Sequence, residues 1–454
     1  MTILPAAIAT RPYEYVHPNY TKYTVQNKKI RDTVEGSDAV KAAKAEYLPR
    51  LTGQSDDEYN AYRQRALFMN IAARIINTNL GMITRRSPVI TLPEQMKKYF
   101  TDTLNVTSFK EVSRFLISEI LQMGRVGVYL DVIDGVPTVV KFPTESIRNW
   151  MMSNGVLTDL VLYSESSDPG DMSHTVVGTY YWLKVRSEIF IVEEYVGKDF
   201  VRATIPEIKG KPLNYIPFFA VNPFALDIEP CKSPMIDVVE INLSHYRTSA
   251  DLEHGRHFTA LPTPVITGGK PDSKIHIGST QALIIPNDKA KAFYMEFLGQ
   301  GLQSLENALK EKQAQMAQFS ARLMDTSARG SEAEGTVRLR HAADAATLYD
   351  ITAAAESAMN AIYKTIAIWE GIDPEEVSIE LNKDFLETKL APAELKEVTA
   401  AYIAGAIDEE TFYYNIQRGE ITPPGHTKDK LPTLPDPNKA DGTKSQGNQS
   451  PAQP

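Results

Sequence analysis

The sequence predicts an α+β fold, and three changes of pattern along the chain support this. Helical periodicity opens the chain, a period of two runs from Gly124 to about Ile205, and long helical stripes return from Ser233. With 454 residues and a hydrophobic content of 43%, the chain can bury a large core. No run approaches the ~18 apolar residues of a membrane span, and no secretory signal is visible, so we expect a soluble protein.

The first 35 residues are rich in Pro and Tyr and are predicted to lack regular structure. Basic residues are interleaved with tyrosines there: Arg11, Lys22, Lys28, Lys29 and Arg31. This mixture is compatible with a nucleic-acid-binding arm. We favour an arm that packs on a neighbouring subunit, because the run is short.

Helix and turn signals follow. Ser55 and Glu58 form a predicted capping box, after which one continuous apolar stripe extends to Leu80. A second capped helix is predicted from Ser108 to about Met123. The dipeptides at 134–135 (Asp-Gly) and 154–155 (Asn-Gly) predict tight hairpins within an antiparallel meander.

The centre of the chain predicts a long helix, a β-containing excursion, a second long helix, a polar loop and a third long helix. Ser233-Pro234 marks the start of the first of these helices. Its predicted apolar stripe consists of Ile236, Val239, Leu243, Tyr246 and Ala250. A helical hairpin follows near the end of the chain, and the Pro-rich residues 421–454 are predicted to be disordered.

Three segments carry a resemblance to a known family. They are YLPRLTGQSDDEYNAYRQRALFMNIAARIINTNLGMI, LSHYRTSADLEHGRHFTALPTPVITG and ARGSEAEGTVRLRHAADAATL. These segments resemble portal-like proteins of tailed bacteriophages, a family often labelled only as a domain of unknown function. The similarity extends from about residue 45 to residue 420 and includes the QRGE at the end of the C-terminal hairpin.

The resemblance implies a phage portal fold with a mixed α/β wing, a two-helix stem, a small β-containing clip, a long wing helix and a helical crown-like region. The implied parts are the N-terminal arm and wing (1–232), first stem helix (233–258), clip (259–298), second stem helix (299–325), tunnel loop (326–337), wing helix (338–385) and crown-like hairpin (386–420). The tail at 421–454 lies beyond the resemblance.

The resemblance also implies a function. Such proteins form a homo-oligomeric ring of about twelve subunits at the unique capsid vertex. Double-stranded DNA enters and leaves through the ring, which docks first the terminase large subunit and then a head-tail adaptor, and contacts the major capsid and scaffolding proteins. The implied location is the virion, after assembly in the host bacterial cytoplasm. No enzymatic activity, cofactor or membrane is implied.

A geometric argument agrees with a DNA channel. About twelve helices, each ~10 Å wide, close into a ring ~38 Å across at the helix centres. Subtracting one helix width leaves roughly 28 Å, which accommodates a duplex about 20 Å wide. A single helix from each subunit is therefore sufficient to line the channel.

The charge agrees with a channel that does not hold DNA. The net charge is -9, whereas tight nucleic-acid binding needs Lys and Arg to neutralise phosphates. We therefore predict a neutral to acidic stem lining that includes Asp237, Glu240, Asp251 and Glu253, which outnumber Arg247 and Arg256. Transient phosphate contacts are assigned to the tunnel loop, through Arg329, Glu332, Glu334, Arg338 and Arg340. The alternative is that this loop is an ordinary solvated surface.

Two other functions stay open. A metal-dependent nuclease would use His254 and His257, but HxxH without a matched third ligand is a weak metal signal, and we favour helix capping or a subunit contact. A different ring-forming head-tail adaptor is the second alternative. The Gly268-Gly269 pair is not part of a Walker loop, and the single cysteine, Cys231, is interpreted as a structural thiol.

Overall fold

The computed structural model describes the chain in several ranges. The described residues are 11, 14–100, 108–133, 135–167, 176–260, 263–267, 291–295, 301–321, 334–383, 385, 392–419 and 421. The chain divides into two compact units, Met1–Lys383 and Asp384–Pro454.

The first unit mixes helices and strands, which confirms the predicted α+β class. Its helices are α1 (Pro18–Glu35), α2 (Ser37–Ala42), α3 (Asp56–Arg65), α4 (Ile71–Ile83), α5 (Phe109–Met123), α6 (Ile236–Ala260), α7 (Leu302–Ala321) and α8 (Glu334–Glu370). Its strands are β1 (Val89–Thr91), β2 (Val126–Ile133), β3 (Val136–Pro143), β4 (Ile147–Ser153), β5 (Val156–Ser167), β6 (Val176–Arg186), β7 (Ile189–Val196), β8 (Asp199–Thr204), β9 (Glu207–Ile208), β10 (Lys211–Pro212), β11 (Phe218–Val221), β12 (Thr263–Thr267), β13 (Lys291–Met295) and β14 (Ser378–Glu380).

The predicted antiparallel strands divide between two sheets, where a single meander was expected. Strands β4 to β8 form a five-stranded antiparallel sheet in chain order, whereas β2 lies between β3 and β11 in a separate sheet. Both predicted hairpins are present, because β2 pairs with β3 and β4 pairs with β5. Asn154 and Gly155 have φ values of 51° and 78°, the left-handed pair that a two-residue hairpin turn needs.

The core of the first unit surrounds the first half of α6. Helices α1, α3, α4 and α6 meet there, and Tyr246 of α6 is completely buried. The stripe predicted for this helix is buried as expected: Ile236, Val239, Leu243, Tyr246 and Ala250. The first half of α6 therefore forms the centre of the helical core of this unit.

The prediction that the first 35 residues lack regular structure is wrong, because Pro18–Glu35 forms α1. His17 caps the helix by accepting from the Asn19 N–H, and Pro18 occupies the first turn, where a missing N–H has no cost. Ile30 is fully buried in the core. Most residues of this helix are polar, so the sequence shows no clear apolar stripe from which the helix could be predicted.

The basic residues of α1 form ion pairs within the chain. Lys29 pairs with Glu240 of α6, and Arg31 makes paired hydrogen bonds with both Glu119 and Glu145, at 2.6–3.0 Å. The positive charges of Lys29 and Arg31 are therefore neutralised by carboxylates of their own subunit and are poorly placed to bind phosphates of a nucleic acid.

The stripe predicted as one continuous helix from Tyr59 to Leu80 is divided into α3 and α4. The capping box at Ser55 and Glu58 is confirmed. The break comes from Asn242 of α6, whose amide oxygen accepts from the N–H groups of Ile71 and Ala72 at 3.1 and 3.0 Å. Its amide nitrogen donates to the Met69 carbonyl at 2.9 Å. A side chain from a distant part of the sequence thus holds the start of α4.

Arg125 joins α5 to the two sheets. Its guanidinium is 1% exposed and donates to four acceptors: the Thr144 hydroxyl and the backbone carbonyls of Thr144, Ile147 and Ile228. It also lies over the Trp150 ring, 4.9 Å from the centroid. Burial lowers the pKa of Arg125 to about 10, so the group stays charged at neutral pH. The turn between β3 and β4 is fixed by these contacts.

Helix α8 packs against α5 and β11. Its predicted apolar stripe is confirmed as buried: Leu348, Ile351, Ala355, Met359, Ile362, Ile366 and Trp369. Asn360 exchanges two hydrogen bonds with the backbone of Ile379, which fixes β14 and its partner β1 beside the helix. No helix in the described part of the chain has both the length and the apolar character needed to cross a membrane.

The second unit contains the predicted C-terminal helical hairpin. Helices α9 (Pro392–Ile403) and α10 (Glu409–Arg418) are in contact, and the rings of Tyr402 and Phe412 stack at 4.6 Å. Asp408 caps α10 by accepting from the Thr411 N–H at 2.7 Å. Apart from Ile421, the segment 421–454 that is predicted to be disordered lies outside the described residues.

Candidate functional site

The candidate site is the α6–α7 hairpin, which we define as α6, β12, β13 and α7. Strands β12 and β13 pair antiparallel from Thr263↔Met295 to Thr267↔Lys291. One strand follows α6 directly and the other precedes α7, so the described part of the hairpin ends in a short β-ladder. The predicted order of helix, β-containing excursion and helix is confirmed.

Helix α6 begins three residues later than the predicted start at Ser233. The Ser233 hydroxyl donates to the Gln122 carbonyl and accepts from the Met235 N–H at 3.0 Å. Ile236 is the first helical residue. Ser233 therefore lies before the helix, where it caps the Met235 N–H and also links the chain to the end of α5 through the Gln122 carbonyl.

Helices α6 and α7 run antiparallel along a seam that is mostly polar. Lys312 donates to the hydroxyl of Thr248, and the side-chain nitrogen of Gln313 lies 3.1 Å from the Nε2 of His245. Towards the ladder, Arg256 pairs with Glu306 at 2.9 Å.

The seam also contains a close contact at Gly255. A Cβ atom there would lie 2.5 Å from a methyl group of Leu302, so glycine permits the two helices to approach. The leucine methyl lies at the end of a flexible side chain. A larger residue at position 255 would therefore push the Leu302 side chain aside without moving the backbone of either helix.

His245 is a buried titratable group within the seam. It is 3% exposed, and burial lowers its pKa, with the positive charge of Lys312 acting in the same direction. The imidazole therefore favours the neutral form in the folded protein. The sequence pattern does not single out His245 or its partners, because helix faces are predicted from the spacing of apolar residues.

Helix α7 is poorly covered by its own chain. Among residues 301–317, whose exposure is described, Met316 is the one buried residue. The predicted apolar stripe residues Leu302, Leu305 and Leu309 are only half-buried. The side chains of Phe319 and Leu323 lie outside the description. This helix is therefore less deeply buried than α6, and its leucines keep only part of their surface accessible in the isolated subunit.

Three of the four acidic residues predicted for the stem lining share a face of α6. Asp237, Glu240 and Asp251 are all exposed. Glu253 follows Asp251 by two positions, which places it about 200° further round the helix. The structure thus brings Asp237, Glu240 and Asp251 onto one stripe and places Glu253 elsewhere.

These carboxylates have partners within the chain. Asp237 pairs with Lys232 at 3.0 Å, and Asp251 accepts from the Tyr62 hydroxyl at 2.6 Å. Glu240 pairs with Lys29, and Glu253 with Arg256 at 2.9 Å. The stripe is consequently less negative than the sequence alone suggests.

The predicted tunnel loop is only partly described. Arg329 and Glu332 lie outside the described residues. Helix α8 begins at Glu334, so Glu334, Arg338 and Arg340 lie in its first two turns and not in a loop. The last residues of the tunnel loop predicted at 326–337 are therefore helical from Glu334, because no proline interrupts the run and Gly335 is its only glycine before Gly371. Arg338 and Arg340 fall within the wing helix predicted from residue 338, and their contact with DNA stays a prediction.

The histidines considered as metal ligands have other contacts. The His254 ring meets Tyr62 edge-on at 5.2 Å, and the Nε2 of His257 lies 3.2 Å from a guanidinium nitrogen of Arg65. Burial lowers the pKa of His254, and Arg65 and His257 act in the same direction. Within the described residues there is no group of three His, Cys, Asp or Glu side chains that could hold a metal ion.

Cys231 lies apart from the hairpin contacts, beside the end of α5. Its thiol donates to the Gly124 carbonyl at 3.0 Å, and burial raises its pKa. A raised pKa disfavours the reactive thiolate, in agreement with a structural role.

Comparison with known proteins gives one family match. A family model described as "Domain of unknown function (DUF4055)" matches residues 234–370. This confirms the resemblance to a family labelled as a domain of unknown function over the part of the chain that contains the α6–α7 hairpin and α8. A comparison with curated proteins gives no match.

Several solved structures are similar to the chain. "Neck of empty GTA particle computed with C6 symmetry" has 12% identity and a TM-score of 0.43, covering 82% of this chain and 97% of that chain. "Virion of native gene transfer agent (GTA) particle" has 12% identity and a TM-score of 0.41, covering 83% and 98%. "Neck of native GTA particle computed with C12 symmetry" has 13% identity and a TM-score of 0.39, covering 84% and 98%. Scores this low do not establish a shared fold.

Proposed function

We propose that this protein is the portal protein of a tailed bacteriophage. About twelve copies form a ring at one capsid vertex, through which double-stranded DNA is packaged and ejected. The ring docks the terminase large subunit during packaging and the head-tail connector afterwards. The sequence resemblance supports the proposal, and the poorly covered α7 of the hairpin is the structural observation that carries it.

An uncovered helix favours assembly for a simple reason. Exposed apolar surface that a subunit cannot bury alone is typical of an interaction site. Copies arranged head to tail bring α7 of one subunit against the next, and such an interface closes into a ring when the rotation between copies is right. The surface of Leu302, Leu305 and Leu309 that stays accessible in the isolated subunit would then be covered between subunits.

The parts of the portal are assigned as proposals. The arm and wing comprise α1–α5 and β1–β11, the stem α6 and α7, the clip β12 and β13, the wing helix α8, and the crown-like hairpin α9 and α10. Because much of α6 is buried in the helical core, the stem starts inside the wing and leaves it only near Asp251. The channel-facing part of α6 is then the stripe that contains Asp237, Glu240 and Asp251.

A mostly paired, weakly acidic stripe suits a passage for DNA. Each uncompensated Lys or Arg contact to phosphate adds salt-dependent affinity, which would retard a moving duplex. Phosphate contacts are assigned instead to the region around the start of α8, through Arg329, Arg338 and Arg340.

Replacement of these three arginines with alanine is expected to alter DNA packaging or DNA retention and to leave ring formation intact. The physical reason is that three phosphate contacts per subunit are removed while the buried part of α8 stays unchanged. Packaging is measured as DNA protected from nuclease in assembled particles. Arg114→Ala, an exposed arginine of α5, is the control. Packaging and retention equal to those of the control would exclude this role.

Negative-stain electron microscopy of the purified protein tests the proposal as a whole. We expect rings with a central hole wide enough for a duplex and, in side view, a stem projecting from a wider body. A flat ring without a stem would favour a head-tail adaptor instead. A protein that stays monomeric under all conditions and in the particle, or metal-dependent DNA cleavage by the purified protein, would contradict the proposal.

A further inference from the structure

The seam between α6 and α7 contains a buried histidine with one unsatisfied ring nitrogen. His245 is 3% exposed, and its Nε2 lies 3.1 Å from the side-chain nitrogen of Gln313 on α7. Its Nδ1 is also buried and has no hydrogen-bond partner within the described residues. The Gln313 nitrogen in turn lies 3.6 Å from the sulfur of Met69, which is uncharged. A buried polar atom without a partner is uncommon in folded proteins and requires an explanation.

The number of protons on the ring decides whether it fits the closed seam. A neutral imidazole has one donor and one acceptor, whereas an imidazolium has two donors. When the Gln313 amide donates to Nε2, the single proton lies on Nδ1. A second proton would place two donors opposite each other at this contact. Rotation of the amide would relieve the contact, but the Nδ1–H of the charged ring would still lack an acceptor.

A cation lies in the same seam. Lys312, which precedes Gln313 on α7, donates to the hydroxyl of Thr248, about one turn further along α6 than His245. Burial lowers the pKa of His245, and the positive charge of Lys312 acts in the same direction. Burial also lowers the pKa of Lys312 itself, and Arg247 adds to this effect. A proton on His245 would therefore bring a further positive charge into a region that already disfavours it.

The described carboxylates near the seam do not compensate this charge. Glu311 and Asp251 act on the pKa of Lys312, whereas the pKa of His245 is lowered by burial and by Lys312. The other helices that pack on α6 present titratable groups that are paired elsewhere or exposed: Lys29 of α1 with Glu240, Tyr62 of α3 with Asp251, and Arg74 of α4. The closed seam is therefore adapted to a neutral ring.

We infer that His245 is a proton-sensitive switch in the α6–α7 hairpin: the seam is closed while the ring is neutral and opens when the ring gains a proton. Opening means that α7 separates from α6 and that water reaches the ring. The buried apolar stripe of α6 keeps that helix in the core, so α7 is the part that moves. All these contacts lie within one subunit, so the switch goes beyond the proposed function and does not depend on ring formation.

The direction of the pH dependence follows from burial. In the open hairpin the ring meets water and its pKa returns to about 6.5, the ordinary value for histidine. In the closed seam its pKa is lower, so the open form binds the proton more tightly. The closed seam is therefore fully stable above this range and loses stability as the pH falls through it. The ratio of open to closed hairpins rises at most about tenfold per pH unit until the pKa of the closed form is reached.

Spin labels on α4 and α7 measure the separation directly. Asn77 and Ala314 are exposed positions on these two helices, and Asn242 of α6 holds the start of α4. Full-length protein with Asn77→Cys, Ala314→Cys and Cys231→Ser is labelled, diluted with unlabelled copies and measured by double electron–electron resonance. We expect the ratio of longer to shorter distances to rise about threefold to tenfold between about pH 7.5 and pH 5.5.

His245→Gln is the decisive variant, because glutamine forms hydrogen bonds but does not gain a proton in this range. Its distances should not change with pH. His257→Gln, which removes another histidine of α6, should keep the response of the wild type. Circular dichroism at both pH values checks that each variant is folded. A response that persists in His245→Gln, or that disappears in His257→Gln, would overturn the inference.

Lys312→Gln tests the cause without altering the ring, and it decides the question if His245→Gln does not fold. Loss of the cation raises the pKa of His245 in the closed seam and brings it closer to the value in the open hairpin. The fold-change with pH should therefore be smaller than in the wild type. An equal or larger fold-change would contradict the inference.

The outcomes separate this inference from the proposed function. Wild-type distances that are the same at both pH values would overturn the switch and leave the portal proposal standing. A protein that never forms rings, but whose hairpin opens at low pH through His245, would overturn the portal proposal alone.

Discussion

Replacement of Arg125 with methionine is expected to lower the free energy of unfolding by about 3–5 kcal/mol. The guanidinium is 1% exposed and satisfies three backbone carbonyls and one hydroxyl from two separate segments, residues 144–147 and Ile228. An apolar side chain of similar length fills the space but leaves those acceptors without donors. Urea unfolding followed by circular dichroism measures the effect.

Two further variants test the cause. Arg125→Lys keeps the charge but lacks the planar fork, so it should recover only part of the lost stability. Arg114→Met, at an exposed position of α5, should change the free energy of unfolding by less than about 0.5 kcal/mol. Stability of Arg125→Met equal to the wild type would mean that the turn between β3 and β4 is fixed by other contacts.

Replacement of Asn242 with leucine is expected to cost about 3–5 kcal/mol of unfolding free energy. The side chain is completely buried, and its loss leaves the Ala72 N–H without its acceptor. The Ile71 N–H and the Met69 carbonyl each lose one hydrogen bond and keep only the one that they make with each other, at 2.8 Å. Since these groups form the break between α3 and α4, hydrogen exchange should accelerate first at the start of α4.

Asn79 of α4 is a matched control for this substitution. It is also a buried asparagine, 8% exposed, but its amide oxygen accepts no hydrogen bond within the described residues. Asn79→Leu should therefore be close to neutral, within about 1 kcal/mol. Similar losses in both variants would show that leucine is simply too large or too apolar for these sites.

The sequence predicted the elements that depend on local signals. Capping residues such as Ser55 and Ser108, the turn at Asn154-Gly155 and the apolar stripes of α6 and α8 all act through nearby residues, and the structure confirms them. Their physical effects reach only a few positions along the chain. Periodicity is therefore a sufficient guide for them.

The elements that the sequence did not predict depend on distant contacts. The division of α3 from α4 needs Asn242, about 170 residues away, and the polar face of α1 is neutralised by carboxylates such as Glu119, Glu145 and Glu240. No periodic pattern carries such information. The same is true of the candidate site: the sequence predicts four acidic residues along one helix, but neither their division between two faces nor their partners Lys29, Tyr62 and Lys232 could be foreseen.

The character of the seam between α6 and α7 has a mechanical consequence. Where α6 meets the helical core, separation would open a dry, close-packed region. Where α6 meets α7, the contacts are largely side-chain hydrogen bonds such as Lys312 to Thr248, for which water is a ready substitute. Separation of α6 from α7 would therefore break contacts that water can replace, so we expect a force applied at the ladder end to open the hairpin before it disrupts the core.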